Sequence, residues 1–288
     1  MYRSDRLRQV DEETFTLRIP KDRDFKILQL TDLHLGFGIL SRNRDKLALD
    51  AVRKLIKKSK PDLIVLTGDS IFPFLPKSGT LNNRKQAKKL MAFLDSFEIP
   101  YTLVFGNHDS YQAGGIPKED FSKFVHAYNK RQPKEDTSYY FKANSDCYGL
   151  VVDGSSYVVP GRHGRYLPEV LTEIEKLFKY KKNSLIFVFQ HFPLIPPNNN
   201  ESHYTFETDR YLDLLKKYPN VVLVASGHFH YQNLIIDENG LYHISVPALG
   251  SRANSTGSGI YEVVKVTYDK KFLKKPENVK INVKDVKF

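Results

Sequence analysis

The feature that most constrains this chain is one local pattern used five times. A short apolar run is broken by a turn residue, and an Asp, a His or both follow at once. Residues 101–105 stop at Gly106 and deliver Asn107, His108 and Asp109. Residues 25–31 deliver Asp32-Leu-His34, and residues 63–67 stop at Gly68-Asp69. Residues 185–190 run into His191-Phe-Pro193, and residues 221–225 into Ser226-Gly-His228-Phe-His230. Short apolar runs closed by such residues read as buried strands. Residues just past such strand ends lie where open α/β sheets bind their ligands.

Helical periodicity fills the gaps between these runs. Ala48, Ala51, Val52, Leu55 and Ile56 form one stripe over residues 43–60, with Pro61 beyond its end. Further helices are predicted around Ala87 to Leu94, around Phe121 to Tyr128, over 168–181, and ending near Lys217. Strands are also predicted at 14–19, 139–142 and 148–153. Beyond residue 232 the pattern changes to strands alone, at 233–237, 241–246 and 260–267. Residues 71–83, with Pro73, Pro76 and Gly79, read as a long loop. Alternating βα units followed by consecutive strands predict an α/β fold with mixed sheets. No repeat or linker divides the chain, so a single domain over 1–288 is expected. Its core is placed at 25–267, with a basic tail at 268–288.

The candidate metal ligands are Asp32, His34, Asp69, Asn107, His191, His228 and His230. In extended chain, residues i and i+2 point the same way, so Asp32 and His34 are expected to share one face, as are His228 and His230. Four imidazoles, two carboxylates and one amide exceed the needs of one ion. They suit two, roughly 3.5–4 Å apart, with Asp69 as the bridge. Two divalent ions against two carboxylates leave a positive surplus. That surplus would attract a phosphate ester and lower the pKa of a bridging water, making hydroxide available for in-line attack near neutral pH. Ligands without sulfur favour Mn, Fe or Zn, with Co and Ni behind them, over Mg or Ca. His108 adjoins a ligand yet must point elsewhere, toward the substrate phosphate, as a transition-state donor or a proton source for the leaving oxygen. Asp109 is expected to orient it.

Each element alone is weak. An Asp-Leu-His triplet is ordinary turn chemistry, and a lone His before Phe-Pro is an ordinary strand end. Five in this order, each ending a strand, are the signal. Asp32-Leu-His34, Gly68-Asp69, Gly106-Asn-His-Asp109, His191 and Gly227-His-Phe-His230 together resemble the signature of the calcineurin-like metallophosphoesterases. The resemblance implies a four-layer α/β/β/α sandwich with two metals on loops at the strand ends. It implies one metal on Asp32, His34, Asp69 and His230, and the other on Asp69, Asn107, His191 and His228. His108 would be the catalytic histidine, with Asp109 as its partner. Phe72 stands where the purple acid phosphatases of that superfamily carry a tyrosinate, which argues against a purple ferric centre. The Val-Asp-Arg-Gly continuation of the Ser/Thr protein phosphatases is absent, and Asp109 replaces their Glu.

Arg162, His163, Arg165 and His203 sit in loops that follow metal-bearing strands and are the candidate substrate contacts. His126 reads as structural or exposed, and His243 as a core or surface residue. The chain carries 44 Lys and Arg against 33 Asp and Glu, a formal +11. A solvated basic surface explains most of that, with attraction of phosphate esters or nucleic acid as the sharper reading. The lysine-rich segments lack interleaved aromatics, which disfavours a single-strand binding platform. One cysteine, Cys147, leaves no intramolecular disulfide and no thiolate cluster. No apolar run spans a membrane, no signal peptide is seen, and a cytoplasmic location is the expectation.

The expected function is therefore metal-dependent hydrolysis of phosphomonoesters or phosphodiesters, including nucleotides. A nuclease of the same superfamily is the enzyme alternative. A non-catalytic scaffold that uses the fold for protein binding is the alternative from outside enzymology.

Overall fold

The computed structural model describes residues 7–10, 26–72, 74–81, 83–109, 118–129, 132–134, 136–144, 147–155, 164–195, 205–206 and 208–250. In chain order the elements are β1 (Leu7–Gln9), β2 (Ile27–Leu30), α1 (Arg42–Ser59), β3 (Leu63–Thr67), α2 (Leu75–Ser78), α3 (Asn83–Asp95), β4 (Tyr101–Val104) and α4 (Lys118–Tyr128). They continue with β5 (Ser138–Asn144), β6 (Cys147–Val152), β7 (Gly164–Arg165), α5 (Pro168–Tyr180), β8 (Leu185–Gln190), β9 (Thr205–Phe206), α6 (Thr208–Lys217), β10 (Val221–Ser226), β11 (Asn233–Ile236) and β12 (Tyr242–Ser245).

Two sheets carry the architecture. One is all parallel, in the order β2-β3-β4. The other runs β1-β5-β6-β8-β10-β12-β11, with antiparallel pairs at β5–β6 and β11–β12 and parallel pairs elsewhere. Strand alternation then sorts side chains into three apolar layers. Val65, Phe187, Phe189 and Ala225 meet between the two sheets. Leu28, Ile64 and Leu66 point the other way, onto Val52, Leu55, Leu90, Met91 and Phe121 of the helices over the smaller sheet. Leu150, Val188 and Val224 pack on Ile174, Phe178, Tyr211 and Leu215 of α5 and α6. Three apolar interfaces need four layers, so the fold is the expected α/β/β/α sandwich. Each fully buried aliphatic or aromatic side chain here contributes roughly 1.5–3 kcal/mol.

Strands that are buried on both faces must read as unbroken apolar runs, and β3, β8 and β10 do. Helix ends follow local chemistry. Lys60 takes a left-handed φ of 48°, donates its N–H to the Ile56 carbonyl at 2.9 Å and closes α1 before Pro61. Pro168 opens α5, where a missing N–H costs nothing.

Three details differ from the sequence reading. The expected loop at 71–83 contains the single turn α2, with Pro76 near its start, a position proline tolerates. The short strand β1 pairs with β5, and the two-residue β7 pairs with β9. Elements this short leave no period to detect. The strands expected at 14–19 and 260–267 lie outside the described residues. Among the described residues, no helix is long and apolar enough to cross a membrane.

Candidate metal centre

β2, β3, β4, β8 and β10 all end at one edge of the sandwich, and every candidate ligand lies just beyond one of those ends. The two sheets are tied together there by polar groups. Gln29 donates to the Ser226 carbonyl at 2.8 Å and to the Thr67 hydroxyl at 3.1 Å. Gly68 has a φ of +96°, and a Cβ on it would run into the His191 ring. A Cβ on Gly106 would run into the Asp69 carboxylate. These glycines let one ligand loop lie directly on another.

The ligands do not continue the strands. Asp32, His34, Asp69, His228 and His230 all have left-handed φ, between 47° and 70°. Such backbone costs a non-glycine residue roughly 1–3 kcal/mol and persists where the surroundings over-determine it. This overturns the idea that i and i+2 share a face here because the chain is extended. Asp32 and His34 do converge, through left-handed turns. His228 and His230 separate into different groups.

The first group is Asp32, His34 and His230. Asp32 Oδ1 lies 3.1 Å from His230 Nε2 and 3.6 Å from His34 Nε2, and the two Nε2 atoms are 3.2 Å apart. Ligand atoms about 2.0–2.1 Å from one ion stand roughly 2.9 Å apart in an octahedron and roughly 3.4 Å in a tetrahedron. The three observed edges fall around those values. Asp32 Oδ2 is held separately, accepting from Thr31 Oγ1 at 2.7 Å and from the His228 N–H at 3.0 Å. Oδ1 is buried without hydrogen-bond geometry. A buried carboxylate oxygen facing two imidazole nitrogens fits a cation.

The second group is Asp69, His191 and His228. Asp69 Oδ2 is 3.4 Å from His191 Nε2, and Asn107 Oδ1 is 3.1 Å from the same nitrogen. His191 Nδ1 faces the Thr67 carbonyl at 2.8 Å. A carbonyl only accepts, so Nδ1 carries hydrogen and Nε2 is the atom presented to the centre. Asp69 also lies with His34 and His108, so the two groups adjoin where His34 of the first approaches Asp69 of the second. The donor set therefore fits two adjacent cations.

Electrostatics point the same way. Burial penalises the Asp32 and Asp69 carboxylates, yet the surrounding histidines hold both well below the usual range. Burial works against charge on His191, but the Asp69 and Asp32 carboxylates outweigh it and raise its pKa to about 9. His230 is raised against its own burial by Asp32. The pocket stabilises positive charge beside its carboxylates.

His108 stands at the rim. Its ring is 5.2 Å from His34 and 4.2 Å from Phe72, both edge-on, and its Nε2 is 3.8 Å from Asp69 Oδ2. Burial, only partly offset by Asp69, lowers its pKa to about 4. Asp109 does not behave as its orienting partner. Asp109 Oδ2 accepts the N–H groups of Asp69 at 2.9 Å and Gly106 at 2.8 Å, and Oδ1 accepts that of Ile71 at 3.0 Å. Both oxygens are committed to backbone, because the three amides around the strand ends would otherwise be buried unpaired. Burial and the charge of Asp69 raise its pKa to about 6.

Of the candidate substrate contacts, Arg162, His163 and His203 lie outside the described residues. Arg165 is exposed on β7. Its neighbour Tyr166 donates to the Phe192 carbonyl at 2.7 Å, so β7 passes beside the His191 loop. His126 bonds the Gln132 carbonyl, and His243 faces Asp237. The sequence reading missed Gln29, Thr31 and Thr67, whose signal is a polar residue within or at the end of an otherwise apolar strand run.

The chain matches the family described as calcineurin-like phosphoesterase over residues 25–232. It is 35% identical over 104 residues to an Arabidopsis thaliana protein named "Probable inactive purple acid phosphatase 28", a match covering 32% of this chain and 25% of that protein's length. A protein of Arcobacter nitrofigilis named "Probable glycerophosphodiester phosphodiesterase GpdQ" is 24% identical over 212 residues, covering 71% of each chain. Among solved structures, a dimetal phosphatase from Danio rerio superposes with a TM-score of 0.63 at 15% identity, covering 84% of this chain and 93% of that one.

Proposed function

This chain belongs to the calcineurin-like phosphoesterase family, and on that premise we propose that it hydrolyses phosphate esters of small molecules, monoesters or diesters, at the Asp–His centre. The observation that carries the reading is the pair of adjoining Asp–His groups, linked where His34 approaches Asp69, with a histidine at their rim. Asp32, His34, Asp69 and His230 would hold one metal ion, and Asp69, Asn107, His191 and His228 the other. Mn, Fe or Zn suit so many imidazoles. Such a pair, when bound, supplies positive charge for the phosphoryl oxygens and lowers the pKa of a nearby water.

The chain's own residues do the rest. Thr31 and the His228 amide fix Asp32 so that one oxygen faces inward. The Thr67 carbonyl fixes the His191 tautomer. His108 is neutral at neutral pH, and its ring N–H is a donor for a phosphoryl or leaving-group oxygen. Phe72 packs against both His108 and His34 and shields that side of the centre from water. Asp109 holds the Asp69 and Asn107 loops at their separation.

The test is metal content of the purified chain, with hydrolysis of a nitrophenyl monoester and the matching bis-nitrophenyl diester in added Mn. Two metals per chain with turnover is the expected result, and the ratio of the two rates selects the substrates to screen. Less than one metal and no turnover after reconstitution would overturn the proposal in favour of a scaffold.

A further inference from the structure

A cavity of about 680 Å³, lined by none of the candidate metal ligands, opens between the first halves of α1 and α3, under the loop that leaves the His34 strand end. Arg42 and Lys46 line it from α1, and Lys85 and Lys89 from α3. The α1 residues recur at i and i+4, on one helix face. The acidic residues of the lining are already committed. Asp45 accepts the N–H groups of Gly36 and Phe37 and the Ser41 hydroxyl, and Asp50 pairs with Arg53 at 2.7 Å. Among the described residues, Arg42 and Lys46 have no carboxylate partner, and the first turn of α3 has no acidic residue. Both helices also turn their N-termini toward this end of the smaller sheet, which adds positive potential.

The floor is different in kind. Phe37 and Leu49 are half-buried there, with the Lys89 ammonium 5.3 Å above the Phe37 ring and 3.5 Å from its carbonyl. The volume falls within the range of small-molecule sites and far exceeds an inorganic anion. Basic walls over an apolar floor are complementary to a phosphate joined to a carbon skeleton.

We propose that this cavity is a second ligand site, which binds an organic phosphate independently of the metal centre. Arg42, Lys46, Lys85 and Lys89 grip the phosphate, and the carbon skeleton lies on Phe37 and Leu49. The phosphate belongs either to a free ester or to a lipid headgroup. Ile39 and Leu40, 91% and 65% exposed at the cavity's edge, are the feature a lipid surface would use.

The test is calorimetric titration of the Mn-loaded full chain with phenylphosphonate, whose C–P bond is not an ester, and with methylphosphonate, which lacks the ring. An R42E/K46E chain and an Asp69→Ala chain are compared with it. The expected result is at least tenfold weaker binding in R42E/K46E, with its melting temperature and nitrophenyl turnover unchanged. Asp69→Ala should keep the cavity site, phenylphosphonate should bind tighter than methylphosphonate, and added salt should weaken both. Phosphatidylcholine vesicles with and without phosphatidate separate the two sources. Sedimentation with phosphatidate vesicles alone, lost in an I39D/L40D chain, assigns a lipid headgroup. Phosphonate binding without vesicle binding assigns a free ester. Wild-type phosphonate affinity and stoichiometry in R42E/K46E, or no binding of any probe to Asp69→Ala, would overturn the proposal. Because the Asp69→Ala arm needs no turnover, an inactive enzyme would count against the phosphoesterase reading and leave this one standing.

Discussion

Replacing Asp109 by Asn separates two roles for that residue. Its carboxylate is fully buried and accepts three backbone N–H groups, two on Oδ2 and one on Oδ1. An asparagine oxygen can take the Oδ2 position and keep the Asp69 and Gly106 bonds. Its NH₂ then faces the Ile71 N–H, donor against donor. One buried amide left unpaired costs about 1–3 kcal/mol, against a total stability of about 5–15 kcal/mol for a typical domain. Asp109→Ala strands all three amides and is expected to cost several times as much. The Asp69 and Asn107 loops should loosen, so metal affinity falls while the pH dependence assigned to His108 stays put. The assay is urea denaturation with and without Mn, metal content, and the pH profile of kcat. Wild-type stability and metal content, together with a shifted pH profile, would refute the brace and restore Asp109 as the partner of His108.

His108→Ala should retain both metals and lose about 10²–10³ in kcat, most severely for esters with poor leaving groups, the scale of one lost transition-state donor; unchanged kcat on such esters would remove its role. Gly106→Ala drives a methyl into the Asp69 carboxylate, so calorimetry should find the metal shared through Asp69 bound at least tenfold more weakly. The metal-free chain should lose stability as pH rises from 6.5 to about 9, where protonated His191 deprotonates. Between about 4 and 6 the curve should be nearly flat, because the raised Asp109 loses its contribution while the lowered His108 regains its own. Below about pH 3.8 the depressed Asp32 and Asp69 reverse the slope, since their stabilisation needs ionised carboxylates. Melting curves of chelator-treated protein across that range check all three windows. Metal uptake at pH 7 should release the His191 proton, measured by titration calorimetry in buffers of different ionisation enthalpy.

The local grammar of the chain is legible in the residues themselves. Continuous apolar runs such as residues 63–67 and 185–190 can only be strands covered on both faces, and they are. The stripe Ala48 to Ile56 can only be one buried helix face, and it is. The single turn Leu75–Ser78 and the pair β7–β9 are not legible, because they are too short to show a period. The ligand set is legible because each Asp or His stands at a strand end. The role of Asp109 is not, since nothing in Gly-Asn-His-Asp reveals where its carboxylate turns.

Sequence alone determined which strands end in Asp, His and Asn side chains, because strand period and turn chemistry act over a few residues. Tertiary structure decided how those residues are grouped. Asp32 meets His230 far along the chain only because the two sheets pack face to face. His228 and His230, adjacent but for one residue, go to different groups because both adopt left-handed backbone and lose the alternation of a strand. A local pattern names the candidate ligands; the packing of one sheet on the other assigns each to its group.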